Sequence, residues 1–294
     1  MSQSQDLENI VEGITATSKA VSSRRTPVAD WMVGEFFGTF ILVFFGCGSV
    51  HAAVLLGAQV GVFQVAIVWG LAISTAIYLT GALSGAHLNP AVTLSMAVWS
   101  TFPKARVIPY VIFQMLGAFA ACAVLMVIFG DSLKVYETTN GIVRGQPGSE
   151  ATAMVYAEYF PNPGGKVLDA AARLKMSLPS AFFAEVIATA ILLLVIFCVT
   201  DERNKTRPQS LTPLTIGLTV TLLISLIGPL TMACMNPARD LAPRLFSSLA
   251  GWGSIPFTTN GNGWLTVYIV APLIGGLLGG GIYRLFFAHG YQET

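Results

Sequence analysis

Six apolar segments of about 20 residues each constrain the fold of this chain more than any other feature of its sequence. They occupy roughly residues 31–50, 63–82, 107–129, 179–200, 211–230 and 264–287. A helix of this length and composition crosses the hydrocarbon core of a bilayer. Charged residues make up only 11% of the 294 residues, too few to cover a soluble protein of this size. The segments therefore predict an all-α membrane protein with six transmembrane helices.

Basic residues in the connections indicate how these helices are oriented. The connections at 51–62 and 247–263 contain none. The N-terminal segment and the connections on the opposite side of the membrane carry the basic residues Arg24, Arg25, Lys104, Arg106, Arg203, Lys205 and Arg207. Because cytoplasmic connections are enriched in Lys and Arg, both termini are predicted to be cytoplasmic, in a plasma membrane or a bacterial inner membrane. Residues 1–30 are expected to form a disordered cytoplasmic tail and residues 288–294 a second tail. The long connection at 130–178 is assigned to the outside.

Two further apolar runs, at residues 90–99 and 237–246, are too short to cross a bilayer. Each would rise about 15 Å as a helix, which is half of the hydrocarbon thickness. Two such helices entering from opposite faces can meet near the centre of the membrane. Non-helical backbone is tolerated there only where protein buries it or water lines it. The two runs therefore indicate re-entrant half-helices with an aqueous path between them.

An internal repeat accounts for this pairing. Glu35 and Thr39 near the start of the first segment recur as Glu185 and Thr189 in the fourth. The halves at 31–129 and 179–287 thus read as two copies, each with three spans and one half-span. Because three is odd, the second copy enters the bilayer inverted, and transport sites commonly lie between such repeats.

Each short run begins with Asn-Pro-Ala, and this motif has a physical logic. Asn is a natural helix cap, and Pro at the first helical position sacrifices no hydrogen bond. Two such helix starts meeting at one point aim two positive dipole ends at the path. A single motif would indicate no more than a capped helix, but two copies at matched positions of a repeat are specific. The motifs are Asn89, Pro90 and Ala91, then Asn236, Pro237 and Ala238.

The stretches "SGAHLNPAVT" and "MNPARD" resemble the two signature loops of the major intrinsic protein family, which contains the aquaporins and aquaglyceroporins. The resemblance covers about residues 31–287. Within the family the chain is most similar to the bacterial glycerol facilitators, because Asp240 follows Arg239 directly and Arg244 and Pro272-Leu273 follow later. The resemblance implies a right-handed six-helix aquaporin bundle, one pore per protomer and a homotetramer.

The resemblance also implies a selectivity filter, formed by Trp69, Ile224, Ala233 and Arg239. Glycerol facilitators share the Trp and the Arg, but they usually carry Gly and Phe at the other two positions. The set found here instead resembles the plant nodulin-like branch, which passes water, glycerol and other small neutral solutes. Arg239 is expected to donate to solute hydroxyls and to repel cations.

Further residues acquire roles from the same resemblance. Main-chain carbonyls that accept hydrogen bonds from solutes are expected at Gly85, Ala86, His87, Leu88, Met232, Ala233 and Cys234. The carboxylates of Glu35 and Glu185 are expected to hold the two re-entrant loops, and Asp240 marks the glycerol branch. The side chain of His87 is either a pore-side group or a packed histidine.

The leading interpretation is a passive channel for glycerol and other small neutral solutes, with water, that excludes protons and ions. The alternative is an aquaporin that prefers water or passes urea, ammonia or metalloids. A proton-coupled secondary transporter using Glu35 or Glu185, and a structural junction protein, are two further alternatives. Neither a catalytic set nor a metal-ligand spacing occurs in the sequence, so no enzyme activity, cofactor or metal is expected. The net charge of +1 argues against nucleic acid as a partner.

Overall fold

The computed structural model describes residues 29–291, and within this range six helices are long and apolar enough to cross a membrane. In chain order the principal helices are α1 (Asp30–Leu56), α2 (Val62–Ser84), α3 (Pro90–Trp99), α4 (Lys104–Thr139), α5 (Leu178–Thr200), α6 (Gln209–Thr231), α7 (Pro237–Ser247) and α8 (Gly263–Phe287). The six spans confirm the predicted all-α membrane architecture. The two short helices, α3 and α7, begin at the two Asn-Pro-Ala motifs.

The two halves of the chain pack in the same way. In the first half α1 lies against α2 and α4, and in the second half α5 lies against α6 and α8. Contacts between α2 and α6 join the halves. In addition, α3 packs against α8 and α7 packs against α4, so each half-helix is supported by a span of the other half. This exchange is the arrangement that an inverted repeat with two re-entrant helices requires.

Glycines allow the closest approaches between these helices. Gly70 of α2 and Gly217 of α6 face each other so closely that a Cβ on either would overlap the carbonyl of the other. Gly117 of α4 lies in the same way against the backbone of Phe36 in α1, and Gly275 of α8 lies against the backbone of α5. Small residues at helix crossings let membrane helices pack on their backbones. These contacts fix the spacing of the spans around the centre of the bundle.

Two helices are longer than the predicted segments. α4 continues ten residues past the predicted end at 129, to Thr139, and α1 ends at Leu56 rather than near residue 50. A helix keeps its hydrogen bonds in water as well as in lipid, so its end need not coincide with the end of the apolar run. The exposed Asp131 and Lys134 belong to this polar extension of α4. The connection between α4 and α5 therefore begins at residue 140.

This connection, at residues 140–177, folds back into the bundle. It contains the short helices Glu150–Ala153 and Ala170–Arg173, and residues 149–161 are buried without interruption. Tyr156 and Tyr159 have no exposed surface. We refer to this side of the bundle as the 140–177 end and to the opposite side, where residues 201–208 join α5 and α6, as the 201–208 end.

The outer surface of the bundle is apolar. Large side chains on the long helices are exposed, among them Val127 (85% exposed), Leu226 (72%) and Phe183 (65%). Such a surface is unfavourable in water but suits hydrocarbon. The predicted tails fall almost entirely outside the described residues, at positions 1–28 and 292–294.

Candidate transport pathway

The two half-helices start at the centre of the bundle with matching caps. The side-chain oxygen of Asn89 accepts a hydrogen bond from the N–H of Ala91 at 2.8 Å, which caps α3. Asn236 caps α7 in the same manner and accepts from the N–H of Ala238 at 3.1 Å. A proline occupies the first helical position in both, where its missing N–H leaves no bond unmade.

Each Asn also binds the loop of the other repeat. The Asn89 amide donates to the carbonyl of Met235 at 2.8 Å, and the Asn236 amide donates to the carbonyl of Leu88 at 2.9 Å. One N–H of each amide is therefore used to join the loops. Both side chains border the central cavity, so the second N–H of each amide is available to a solute.

The loops that precede the half-helices have the same unusual backbone. Ala86 and Leu88 have φ angles of 49° and 53°, and Met232, Ala233 and Met235 have φ angles of 67°, 67° and 50°. Left-handed backbone is unfavourable for residues with a Cβ and persists only where surrounding contacts hold it. Its occurrence at matched positions in both loops shows that the two halves impose one conformation on both.

Two fully buried carboxylates hold these loops. Glu35 of α1 and Glu185 of α5 have no exposed surface, and each accepts hydrogen bonds from two successive main-chain N–H groups of one loop. The donors are those of His87, Leu88, Cys234 and Met235, at distances of 2.8–3.0 Å. Glu35 also accepts from Gln114 at 2.7 Å, and Glu185 accepts from Thr231 at 2.6 Å. Neither Glu borders the cavity.

A cavity of about 380 Å³ runs through the bundle past the meeting point of the half-helices. It reaches Thr200 and Thr212 near the 201–208 end and Arg239 and Glu158 toward the 140–177 end. The wall between these ends is largely apolar. The cavity borders all seven residues whose carbonyls were expected along the path: Gly85, Ala86, His87, Leu88, Met232, Ala233 and Cys234.

The four predicted filter residues also border this cavity. Trp69, Ile224, Ala233 and Arg239 are each at most 6% exposed. The guanidinium carbon of Arg239 lies 4.4 Å from the centroid of the Trp69 ring, a cation–π arrangement. The structure thus brings together an apolar wall and a charged donor, the combination that the sequence predicted.

Glu158 is the residue that the sequence analysis missed. It lies in the 140–177 connection, is 1% exposed, borders the cavity and pairs with Arg239. The Nε of Arg239 is 2.9 Å from Oε1 of Glu158, and its Nη1 donates to the carbonyl of Tyr156 at 2.9 Å. The charge of Arg239 is therefore balanced. An acidic residue inside the apolar stretch "ATAMVYAEYF" is the one signal in the sequence that could have drawn attention to it.

Asp240 and Arg244 hold the backbone of Glu158. Asp240 accepts from the N–H of Glu158 at 2.8 Å, and Arg244 donates to the carbonyl of Glu158. Arg244 and Asp240 are themselves paired, with Nε 2.8 Å from Oδ2. Asp240 does not border the cavity. Asp240, predicted only as a marker of the glycerol branch of the family, thus helps to hold Glu158 beside Arg239.

Two other predicted residues have clear surroundings. Cys234 borders the cavity, and its thiol donates to the carbonyls of Asn236 and Tyr268. His87 borders the cavity as well, but its ring packs against Phe102 and Tyr110, with centroid distances of 4.6 and 5.1 Å. The two interpretations of His87, a pore-side group and a packed histidine, are therefore compatible.

This geometry agrees with comparisons against known proteins. The chain belongs to the major intrinsic protein family, since the family model described as MIP, major intrinsic protein, matches residues 22–283. A solved structure, the aquaglyceroporin from Plasmodium falciparum, superposes with a TM-score of 0.75 at 28% sequence identity. The match covers 90% of this chain and 99% of that one. The likeness confirms the predicted aquaporin bundle.

Curated relatives are of the same kind. The glycerol uptake facilitator protein of Haemophilus influenzae is 40% identical over 253 residues, which is 86% of this chain and 91% of the relative. The corresponding protein of Escherichia coli K12 is 38% identical over 263 residues, 89% of each chain. The propanediol uptake facilitator PduF of Salmonella typhimurium is 40% identical over 253 residues, 86% of this chain and 91% of the relative.

Proposed function

We propose that this protein is a passive channel that conducts glycerol and other small neutral solutes, with water, down their gradients. The observation that carries the proposal is the cavity itself, which passes the tips of two capped half-helices and is bordered by Trp69, Ile224, Ala233 and Arg239. Cavities between inverted repeats are where transport proteins bind what they move. The names of the relatives, glycerol and propanediol uptake facilitators, support the same class of solute.

The part of the cavity bordered by these four residues suits a polyol. Glycerol has a hydrocarbon edge and a hydroxyl edge. Trp69 and Ile224 present apolar surface, and Arg239 presents N–H donors that have no acceptor role. A solute that slides with its carbon atoms toward the first pair keeps its hydroxyls toward Arg239 and the loop carbonyls. Its lost hydration is thereby replaced, which is the requirement for rapid passage.

Exclusion of protons and cations is attributed to the half-helices. The N-terminal ends of α3 and α7 meet at Asn89 and Asn236, and each carries the partial positive charge of a helix dipole. Both Asn side chains are oriented by bonds to fixed backbone groups. A water molecule at this point accepts from the amides and is not free to accept from a neighbouring water. A proton therefore finds neither a continuous hydrogen-bonded chain nor a favourable potential.

The structure argues against proton coupling through Glu35 or Glu185. Each carboxylate has both oxygens occupied by main-chain donors of a loop, and neither borders the cavity. A group that shuttles protons must exchange with the path. The two carboxylates instead contact the main chain of the re-entrant loops, as structural residues do. A channel therefore accounts for their positions with fewer assumptions than a proton-coupled transporter does.

The remaining parts of the proposal concern assembly and placement. We assign the protein to a plasma membrane or a bacterial inner membrane, with both termini cytoplasmic and the 140–177 end outside, because basic residues cluster at the 201–208 end. The apolar outer surface is assigned to lipid and to a homotetramer with one pore per protomer. No enzyme activity, cofactor or nucleic-acid partner is part of this function.

Stopped-flow light scattering on proteoliposomes tests the proposal. Glycerol flux should exceed that of protein-free liposomes, rise linearly with the gradient and continue when a protonophore collapses the proton gradient. Water, urea and larger polyols measured in the same preparation rank the solutes. Saturable uptake that stops with the protonophore would establish the transporter instead, and glycerol flux equal to that of empty liposomes would overturn the proposal.

A further inference from the structure

We propose that Met232 is a site of oxidative modification, at which a neutral peroxide that enters the cavity converts the thioether to a sulfoxide and thereby slows the passage of solutes. The modification depends on the side chain and its surroundings, whereas its effect on flux rests on the proposed channel function. The support comes from the position of Met232 at the cavity, from a hydrogen bond to its sulfur, and from the closeness of this bond to the pair of Glu158 and Arg239.

The position of Met232 makes it accessible from the cavity. It lies in the second re-entrant loop, directly before Ala233, and it borders the cavity and is only half-buried. Of the methionines within residues 29–291, Met96 and Met235 also border the cavity, but Met235 is only 2% exposed. The thioether of methionine is a common target of oxidants. A small peroxide in the cavity therefore meets an oxidisable sulfur at Met232.

The sulfur of Met232 joins its loop to the 140–177 connection. Its Sδ accepts from the main-chain N–H of Tyr159 at 3.3 Å, although a thioether is only a weak acceptor. Divalent sulfur has a further lone pair, which stays free to react. Because a sulfoxide oxygen accepts more strongly than a thioether, the N–H of Tyr159 suits the product better than the reactant. Within the described chain, Met232 is the one methionine that both borders the cavity and has a hydrogen-bonded sulfur.

The reaction is the transfer of one oxygen atom. A lone pair of the Met232 sulfur attacks one oxygen of hydrogen peroxide or of an organic hydroperoxide, so that a sulfur–oxygen bond forms and the O–O bond breaks. The proton of the transferred hydroxyl passes to the departing oxygen, which leaves as water or as an alcohol. The sulfur loses two electrons and the peroxide gains them. The product is an uncharged, polar side chain that carries one more oxygen atom.

A sulfoxide at this position alters the path close to its charged pair. Tyr159 directly follows Glu158, whose Oε1 lies 2.9 Å from Nε of Arg239. The added oxygen takes up space at the cavity wall, and it can hold a solute hydroxyl in addition to the N–H of Tyr159. Rapid conduction requires binding that is weak enough for the solute to leave. Full oxidation of Met232 should therefore lower glycerol flux roughly fivefold, the effect of one retained hydrogen bond.

Peroxide treatment of the full chain in proteoliposomes tests the modification. Hydrogen peroxide is followed by a reducing thiol, which reverses sulfenic acids and disulfides of cysteine but leaves methionine sulfoxide. Peptide mapping by mass spectrometry should then show one added oxygen on Met232, and glycerol flux should fall with the oxidised fraction. Met232→Leu has an apolar side chain of similar volume and should retain the flux of its own untreated sample. The matched control is Met96→Leu, which removes a half-buried thioether from the same cavity and should stay as sensitive as the unaltered protein.

Further arms separate the possible failures. If Met232→Leu does not fold, graded doses of peroxide on the unaltered protein give the answer, since flux should follow the sulfoxide fraction at Met232 and not the fraction at Met96. Met232→Gln places a polar side chain of similar length there and should conduct less than Met232→Leu without any peroxide. An unmodified Met232 in treated protein, or equal loss of flux in Met232→Leu and the unaltered protein, overturns the proposal. Absent glycerol flux in untreated protein would instead overturn the channel function, and the mapping of Met232 would still decide the modification.

Discussion

The guanidinium of Arg239 lies over the indole ring of Trp69, with its central carbon 4.4 Å from the ring centroid. The first residue comes from the half-helix α7 and the second from α2, so the contact joins the two repeats at the wall of the cavity. Because the same guanidinium is paired with Glu158, changes at this point alter charge, width and stability together.

Replacing Arg239 with Val should admit cations. The change leaves the carboxylate of Glu158 buried without its counter-charge, which destabilises a protein by about 3–5 kcal/mol and attracts positive ions. A voltage- or pH-sensitive dye in proteoliposomes should report a cation or proton leak, with glycerol flux still substantial. The double variant Arg239→Val/Glu158→Val removes both charges and should leak less and melt higher than Arg239→Val alone. Equal leakage and melting of the two would contradict the pairing as described.

Substituting Phe for Ala233 should narrow the pathway. Ala233 borders the cavity and is 4% exposed, so an aromatic ring at this position takes up space along the pathway. Permeability should fall only modestly for glycerol and more steeply for four- and five-carbon polyols, measured as a size series in one preparation. Ala72→Ser on α2, a buried position outside the cavity, serves as the control. A parallel fall for every solute would argue against a narrowing at residue 233.

A mercurial should block the pathway through Cys234. Within the described residues it is the one cysteine that borders the cavity, whereas Cys47, Cys122 and Cys198 do not. Its thiol contacts the carbonyls of Asn236 and Tyr268, and the residue borders the cavity, so a bound mercury atom would obstruct solutes there. Flux through the unaltered protein should be lost and then restored by a reducing thiol. Cys234→Ser should resist the reagent and Cys198→Ser should remain sensitive; the reverse pattern would refute the placement.

Replacing Glu185 with Gln should loosen the second re-entrant loop. The carboxylate accepts from the N–H groups of Cys234 and Met235, and glutamine can accept at only one of its two terminal atoms. One buried N–H would then lose its acceptor, which costs about 1–3 kcal/mol. The melting temperature in detergent and the solute flux should both fall. Glu35→Gln should have the same effect through the first loop, since the halves are equivalent, and a normal Glu185→Gln protein would remove the support role.

Replacing Asp201 with Asn should weaken the 201–208 end without a pH dependence near neutrality. Hydrogen bonds from Arg203, and also from Tyr283 of α8, lower the pKa of Asp201 from 3.8 to about 2. A lowered pKa stabilises the fold above the unfolded value, and the stabilisation is lost as pH falls through the folded value. The decrease in melting temperature should therefore be the same at pH 5 and pH 8. A decrease that disappears at pH 5 would contradict this assignment.

The sequence predicted the architecture well because membrane insertion leaves a strong signature. Length and hydropathy alone located all six spans, and the Asn-Pro-Ala motifs marked the first residues of α3 and α7. The ends of α1 and α4 were less predictable, because helical hydrogen bonding does not stop where the apolar run stops. The residues bordering the cavity followed from the resemblance to a family, and hydropathy by itself would not have found Trp69 or Ile224.

Glu158 could not be predicted for a different reason. Its partners are Arg239, Asp240 and Arg244, all far along the chain in another helix. The 140–177 connection carries four basic and three acidic residues without a long apolar run, so its sequence resembles that of an exposed loop. Only the folded structure shows that residues 149–161 are buried. The sequence marked Asp240 only as typical of the glycerol branch. Its structural role, which is to hold the backbone of Glu158, follows from the fold.

The bonds between Asn89 and Met235 and between Asn236 and Leu88 have a consequence for biosynthesis. The acceptor for Asn89 is 146 residues further along the chain. When only the first half of the chain has been synthesised and inserted, the Asn89 amide at the start of α3 lacks its acceptor. The centre of the bundle therefore stays incomplete while the first three spans are already in the membrane. The pathway therefore forms in a single late step, when the second half inserts in inverted orientation beside the first.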